Sequence, residues 1–540
     1  VAVSETALIN AGLQAGLFDA ELVARLRPLA RSQRMTLLDA LTRELRMPAA
    51  ALWHALAEAR GLPFVRLADA APAGDLIARM PPALLQNHRM LPMRRGDGST
   101  LLATGDPDEH GGRQAAARAL GEQLPVALMD PDELAELIRQ ETGRLPAAAG
   151  RPGGDEPVAL FDRLLKDAWL RRASDIHVEA QRSGYAIRLR VDGVMQPWGG
   201  SLPRPLGEGL VSRIKVLADM DISETRATQD GGLTHHVAGW EGEAVEMRVA
   251  SIPTRWGERL TLRILKSDAG PLKLDALGMP PAMLENFRRM IDRPHGIILV
   301  TGPTGSGKST TLYAALRELD GARLNILTVE DPIEQNIDGI SQVQVSVKVG
   351  FADALRSFLR HDPDIILVGE IRDIDTADTA LKASTTGHLV FSTLHTNSAL
   401  GAVARLADIG CERFLLADTL TGVIAQRLVR RLCPRCRKAV AADARARRLL
   451  GLAEDAEATL YEPAGCASCL GSGYRGRTGV FEALWMDEAL AAAINTGANE
   501  GELRRHAAHW SRLAEDARAK VLAGETSLAE VRALIGGEPA

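Results

Sequence analysis

Apolar positions change their spacing three times along this chain, and each change marks a different architecture. In the first stretch, to about residue 142, Leu22, Leu26 and Leu29 recur at helical intervals, as do Leu52, Leu56 and Ala59. Beyond Gly61-Leu-Pro63 the apolar runs shorten and are broken by turns such as Gly96-Asp-Gly98, which predicts a helical start followed by a small α/β module. Residues 143–157, GRLPAAAGRPGGDEP, have the composition of a flexible linker. The second stretch, 158–268, opens as a helix and then alternates. Tyr185, Ile187, Leu189 and Val191 fall on every second position with Arg188 and Arg190 between them, and the turn signal Asp192-Gly193 follows. Val245, Met247 and Val249 repeat that period, as do Leu260, Leu262 and Ile264, with two helical stretches predicted between the strands. A short second linker is expected near Ser267–Pro271.

From about residue 272 the pattern becomes that of buried strands alternating with helices. Apolar runs at 296–301, 324–329, 365–368 and 389–394 are separated by helical stretches at 309–319, 352–360 and 376–383. Parallel strands with crossover helices follow, hence an α/β core. The last hundred residues add a cysteine-bearing insertion, 430–475, and an Ala/Leu/Arg-rich helical tail.

Composition narrows the class without defining it. At 540 residues the chain exceeds one core, so two to four domains are expected. A net charge of −5 gives no global attraction to nucleic acid or anionic lipid. No apolar run reaches the roughly 18–20 residues that cross a bilayer, and residues 1–24 hold no Lys or Arg to begin a secretory signal. A soluble, cytoplasmic protein without direct membrane insertion is expected, its membrane work done through partners.

The chemistry is concentrated in Gly302-Pro303-Thr304-Gly305-Ser306-Gly307-Lys308-Ser309-Thr310, which fits G-x-x-x-x-G-K-[ST]. A predicted strand precedes it and a predicted helix follows, the order a phosphate-binding loop requires. Glycines let backbone N–H groups close on phosphate oxygens, and the helix N-terminus adds its dipole. Lys308 is expected to reach the β and γ phosphates of ATP, and Ser309 to offer a hydroxyl to Mg²⁺.

Two later strands end in carboxylates. Ile365-Ile-Leu-Val-Gly-Glu370 places Glu370 where a second Mg²⁺-facing acid would stand, and Leu327-Thr-Val-Glu-Asp-Pro-Ile-Glu334 runs into three acids. Hydrolysis needs a carboxylate that orients and deprotonates water opposite the leaving ADP. Glu334 is the choice for that base, with Glu330 and Asp331 as positioning groups. His388 and His395 bracket the next strand; seven residues apart, they face opposite sides and do not share a metal. For His395 two readings stand, a γ-phosphate contact or a core histidine.

The strings GPTGSGKST, ILTVEDPIE, DPDIILVGEIRD and GHLVFSTLHTN resemble the Walker A, Asp box, Walker B and His box of the secretion ATPase superfamily. More narrowly, residues 45–500 are similar to type II secretion system ATPases and to type IV pilus assembly ATPases. The resemblance implies a PAS-like α/β middle domain at 158–268 and a RecA-like P-loop ATPase domain at 272–540. It also implies a homo-hexamer with nucleotide held between domains and subunits, and a first block, 1–142, that docks the cytoplasmic domain of an inner-membrane anchor protein. By the same resemblance Lys308 holds phosphates, Glu334 is the base, Glu370 faces Mg²⁺ and water, and His395 lies near the γ-phosphate. Arg213 and Arg226 match the middle-domain arginines that approach the nucleotide. Gly232 departs from the pattern, since the family usually has Arg there; Arg226 or Arg248 compensates, or turnover is slower.

Cys433-Pro-Arg-Cys436 and Cys466-Ala-Ser-Cys469 complete the set of motifs. Two C-x₂-C turns supply four thiolates to a tetrahedral Zn²⁺, closed and therefore structural, with a helical excursion expected between them. The resemblance places this element against the inner-membrane platform protein. The leading expectation is a cytoplasmic ATPase powering pseudopilus assembly and protein export by type II secretion, with type IV pilus extension as the alternative. A nucleic-acid translocase is disfavoured by the acidic charge and scarce aromatics. A cyclic-dinucleotide module in the first block is disfavoured by the missing paired Arg-Leu-Gly repeats.

Overall fold

Four short helices open the chain, the first three each started by a side chain that satisfies one of its first amides. In the computed structural model, which describes residues 3–33, 35–67, 69–143, 156–236, 244–265, 272–319 and 321–536, these are α1 (Glu5–Gln14), α2 (Ala20–Ser32), α3 (Leu37–Leu45) and α4 (Ala50–Ala59). Ser4, Asp19 and Thr36 cap the first three by accepting from Ala7, Leu22 and Asp39 N–H groups. Leu8, Leu26, Leu41, Leu52 and Leu56 form the shared core. The predicted face of α2 is rotated: Val23, Leu26 and Ala30 are buried, while Leu29 is 44% exposed. Most of the predicted 143–157 linker, residues 144–155, and all of 267–271 lie outside the described residues.

The α/β module follows as predicted. Its sheet runs β1 (Ala70–Pro72), β2 (Met90–Arg95), β3 (Thr100–Thr104) and β4 (Val126–Leu128) in that order, the last pair parallel. Helices α5 (Gly74–Ile77), α6 (Pro82–His88), α7 (His110–Leu120) and α8 (Pro131–Gly143) complete it. Gly98, at φ +85°, makes the tight turn between β2 and β3.

The second predicted block is a six-stranded antiparallel sheet carrying two helices. After α9 (Glu156–Leu170) come β5 (Ala173–Gln181), β6 (Gly184–Val191), β7 (Val194–Leu202), α10 (Arg204–Leu217), β8 (Gln229–His236), β9 (Ala244–Thr254) and β10 (Gly257–Ile264), in spatial order β7-β6-β5-β10-β9-β8. The alternation holds: Tyr185, Ile187, Leu189, Val245, Met247 and Leu260 are buried under Phe161 and Leu164 of α9 and Leu210 and Ile214 of α10. Among the described residues only one of the two predicted intervening helices forms, α10. Gln229 to His236 is the edge strand β8, a segment rich in Gly, Thr and His with no apolar helical face.

The remaining residues build the eight-stranded sheet. Its elements are α11 (Pro281–Ile291), β11 (Gly296–Thr301), α12 (Lys308–Glu318), β12 (Ile326–Glu330), β13 (Ser341–Gln344), α13 (Phe351–Phe358), β14 (Ile365–Val368), α14 (Ile374–Thr385), β15 (Leu389–Leu394), α15 (Ala399–Ile409), α16 (Arg413–Thr419) and β16 (Leu420–Leu432). Strands β13-β12-β14-β15-β11-β16 are parallel; the long β19 (Tyr474–Trp485) and the short β20 (Trp510–Ser511) extend the sheet antiparallel. Every residue of β11, β12, β14 and β15 is buried, as strands covered on both faces must be. Between the cysteine pairs, β17 (Lys438–Ala441) and β18 (Thr459–Glu462) form a hairpin around α17 (Ala444–Leu450), so the predicted excursion is a helix plus two strands. The chain divides into two compact units, 1–268 with 464–473, and 269–463 with 474–540.

Candidate functional site

Where β11 ends, the backbone turns through Gly302, Gly305 and Gly307, all at positive φ, and enters α12 at Lys308. A Cβ on Gly302 would lie 2.5 Å from the Gln426 carbonyl oxygen and 2.6 Å from Ser306 Oγ, so only glycine fits. Thr301 Oγ1 accepts the Thr396 N–H at 2.9 Å, and Thr311 Oγ1 donates to Gln426 Oε1 at 2.7 Å, tying the loop to β15 and β16. Ser306 is 3% exposed and its Oγ has no hydrogen-bond partner among the described residues. Together with the glycine-only backbone, that buried hydroxyl fits a loop closed around phosphate oxygens. Lys308 Nζ donates to the Gly302 and Pro303 carbonyls at 2.9 and 3.2 Å. Burial pulls its pKa down, opposed by Glu370 and Glu334.

The loop floors a cleft of about 440 Å³. Thr304 through Thr310 line it, with Glu330, Asp331, Glu334, Glu370, Thr393 and His395, all brought by the carboxyl ends of β12, β14 and β15. The sequence-predicted constellation therefore converges. Glu370 is paired by Arg372, and His395 Nε2 stands 3.4 Å from its second carboxylate oxygen. His388 sits at the opposite end of β15, its Nδ1 2.7 Å from the Ala383 carbonyl, outside the cleft. Glu330 differs from its two neighbours in the acid cluster. It is 5% exposed and accepts from Tyr313 O–H, from Thr328 Oγ1 at 2.7 Å and from Gln342 Nε2 at 3.0 Å.

Arg213 and Arg226 belong to the first unit. The Arg226 side chain is 91% exposed, with Glu224 Oε1 3.8 Å away; Arg213 is half-buried on α10. Gly232 on β8 pairs directly with Arg248 on β9, so Arg248 stands on the same sheet face as the missing arginine. Sequence reasoning gave no role to Tyr313, Lys215, Arg372 or Arg477. Arg477, on β19, lines the cleft from the far side, and no local signal near it points to a nucleotide.

The four cysteine sulfurs lie within 4.8 Å of one another, and Cys466 Sγ is 3.8 Å from Cys469 Sγ. That equals the edge of about 3.8 Å expected for a tetrahedron with metal–sulfur bonds near 2.3 Å. Cys466 and Gly473 N–H groups donate to Cys469 Sγ at 3.2 Å, as such groups do to a metal-bound thiolate. The donor set fits a metal ion.

A phosphate loop between a buried parallel strand and a helix, roofed by carboxylates from two further strands, defines a P-loop ATPase of RecA-like fold. The ATPase DotB of Legionella pneumophila shares that fold, with a TM-score of 0.53, 24% identity, and coverage of 73% of this chain and 99% of that one. Residues 153–533 match the profile of the type II/IV secretion system proteins, and residues 60–147 match that of the MshEN domain. The chain belongs to the type II/IV secretion system protein family. It is 47% identical to the type II secretion system ATPase E of Vibrio cholerae over 77% of this chain and 82% of that one. Identity to the type IV pilus assembly ATPase PilB of Myxococcus xanthus is lower, 39%, over 88% of this chain and 89% of the relative. The difference favours secretion over pilus assembly.

Proposed function

We propose that this chain is the ATP-hydrolysing motor of a type II secretion system. The convergence of Glu334 and Glu370 on the Lys308 loop carries the reading. Lys308, with the amides of residues 304–310, holds the phosphates. Ser309 and Glu370 are the groups that would hold Mg²⁺, which when bound shields the phosphate charge. Glu334 takes the proton of the attacking water as its oxygen bonds to the γ-phosphorus, the β–γ bridging bond breaks, and ADP leaves. Arg213 and Arg226 meet the developing charge, with Arg248 in the role vacated at Gly232, and His395 steadies Glu370 beside the γ-phosphate. The four cysteines hold a structural Zn²⁺. The active form is a homo-hexamer in the cytoplasm, attached peripherally to the inner membrane: residues 1–142 bind an anchor protein's cytoplasmic domain, and the 430–475 insertion meets the platform protein. No helix among the described residues is long and apolar enough to cross a membrane.

The test is a pair of variants. Lys308→Ala is expected to lose ATP binding by calorimetry. Glu334→Gln is expected to keep binding and to lose turnover by roughly 10²-fold or more. Wild-type hydrolysis in the second would remove Glu334 from the base role.

A further inference from the structure

Glu334 is exposed, and among the described residues no hydrogen bond or ion pair holds its carboxylate. Its placement therefore depends on its backbone. That backbone is anchored from an unexpected quarter, because the Glu334 N–H donates to the phenolic oxygen of Tyr313 at 3.2 Å. Tyr313 lies on α12, the helix whose first residues are Lys308 and Ser309, and it is 2% exposed. Its own O–H donates to Oε2 of the buried Glu330 at the end of β12. Thr328 and Gln342 saturate the other oxygen of that carboxylate, so Glu330 is a fixed acceptor. Burial, reinforced by Glu330, pushes the phenol well above its ordinary pKa and keeps it a donor.

We infer that Tyr313 is a positioning residue for hydrolysis: one hydroxyl clamps the turn from Glu330 to Glu334 onto the helix that grips the phosphates. Tyr313 lies five residues on from Lys308 along the helix, a rise of about 7.5 Å along a rigid rod. The phosphate group and the base are thereby referred to the same element. Without the clamp, the base keeps its chemistry and loses its aim, and misplacement by about 1 Å costs on the order of 10²-fold. The inference rests on the reading of Glu334 as the base.

Tyr313→Phe in the full chain keeps the ring and removes both bonds. Its kcat is expected to fall roughly tenfold or more, with KM and ATP affinity changed less than about threefold. Turnover at the wild-type rate, or a parallel loss of affinity, would overturn the proposal. Added to Glu334→Gln, the substitution is expected to cost nothing further, and a further drop would mean that it acts elsewhere. Should Tyr313→Phe fail to fold, Glu330 provides the same test. Glu330→Gln keeps an oxygen for the phenol and is expected to lose clearly less kcat than Glu330→Ala, which falls as Tyr313→Phe does. Equal losses in both would assign the effect to charge and sink the clamp. An active Glu334→Gln sinks the base reading and this inference with it; an inactive Glu334→Gln beside a fully active Tyr313→Phe sinks only the clamp.

Discussion

The phosphate loop and the arginine loop after α10 both present positive charge, and they are built by opposite means. The first uses backbone amides, held in place because Gly302 and Gly307 adopt dihedrals closed to other residues. The second depends on one buried ammonium. Lys215, 1% exposed, donates to Glu258 Oε1 and to the Glu224 carbonyl, both at 2.8 Å. Gln229 Nε2 donates to the same Glu224 carbonyl at 2.8 Å, and the Glu224 carboxylate accepts the Arg226 N–H at 2.6 Å. Arg226 is thus carried on a turn whose stiffness comes from side chains. Backbone dipoles neither titrate nor lose their partners, whereas a buried ammonium must be matched wherever it goes.

The largest expected effect separates the two on the loop side. Gly302→Ala forces a methyl against the Gln426 carbonyl, a backbone atom that cannot rotate away. A loss of ATP affinity of roughly 10²-fold or more is expected by calorimetry, with the first unit's unfolding unchanged. Wild-type affinity would mean the loop relaxes freely and is not a rigid cradle. The arginine loop should break in the other way. Lys215→Met leaves the Glu258 carboxylate buried opposite an apolar group, at a cost of about 3–5 kcal/mol by chemical denaturation. Lys215→Met with Glu258→Met should recover most of that stability while turnover stays below wild type, since the Glu224 carbonyl keeps the Gln229 bond and has lost the Lys215 one. If the single variant is as stable as the wild type, the buried pair is not what holds the turn.

The same contrast explains what could be read from the residues alone. The phosphate loop was legible because its parts are contiguous: nine residues contain the turn, the lysine and the hydroxyl, between runs whose periodicity is unmistakable. Glu370 and His395 could be placed because each follows a predominantly apolar strand, and strand ends converge in a parallel sheet. Lys215 was opaque because its carboxylate is 43 residues away, and Tyr313 because its acceptor is 17 away across a crossover. A tyrosine inside a helical apolar run reads as core, which it also is. The α2 phase was misjudged for a related reason: Leu29 keeps helical spacing with Leu22 and Leu26, but the neighbouring helices cover the Val23–Leu26–Ala30 side. Strand β8 was missed because glycines at 231 and 232 dilute its alternation.

The smallest effect sharpens the comparison through pH. In the first unit Asp130 caps α8, accepting from Asp132 and Glu133 N–H groups at 3.0 and 3.2 Å. Burial pushes Asp130 up to about 6 and Glu133 up to about 7, with Arg171 opposing and the nearby Asp167 adding to the Glu133 shift. A carboxyl whose pKa is higher folded than unfolded holds more protons in the folded state between those two values. Stability is then fully present below the unfolded value near 4.5 and is lost as pH rises through about 7. Glu133→Gln removes the titration and keeps the shape. It is expected to stabilise the first unit at pH 8 by on the order of 1 kcal/mol, once solvent screening of a half-buried side chain is counted, and to change nothing at pH 4. Urea unfolding of the variant and the wild type followed by tryptophan fluorescence reads the difference, Trp169 and Trp198 reporting on this unit and Trp485 and Trp510 contributing a background common to both proteins. ATP affinity should show no matching change between the variant and the wild type at either pH, because Glu133 belongs to the first unit and is not among the residues that line the phosphate cleft. An equal gain at both pH values would assign the effect to packing, and the contrast between titrating side chains and fixed dipoles would have to be drawn elsewhere.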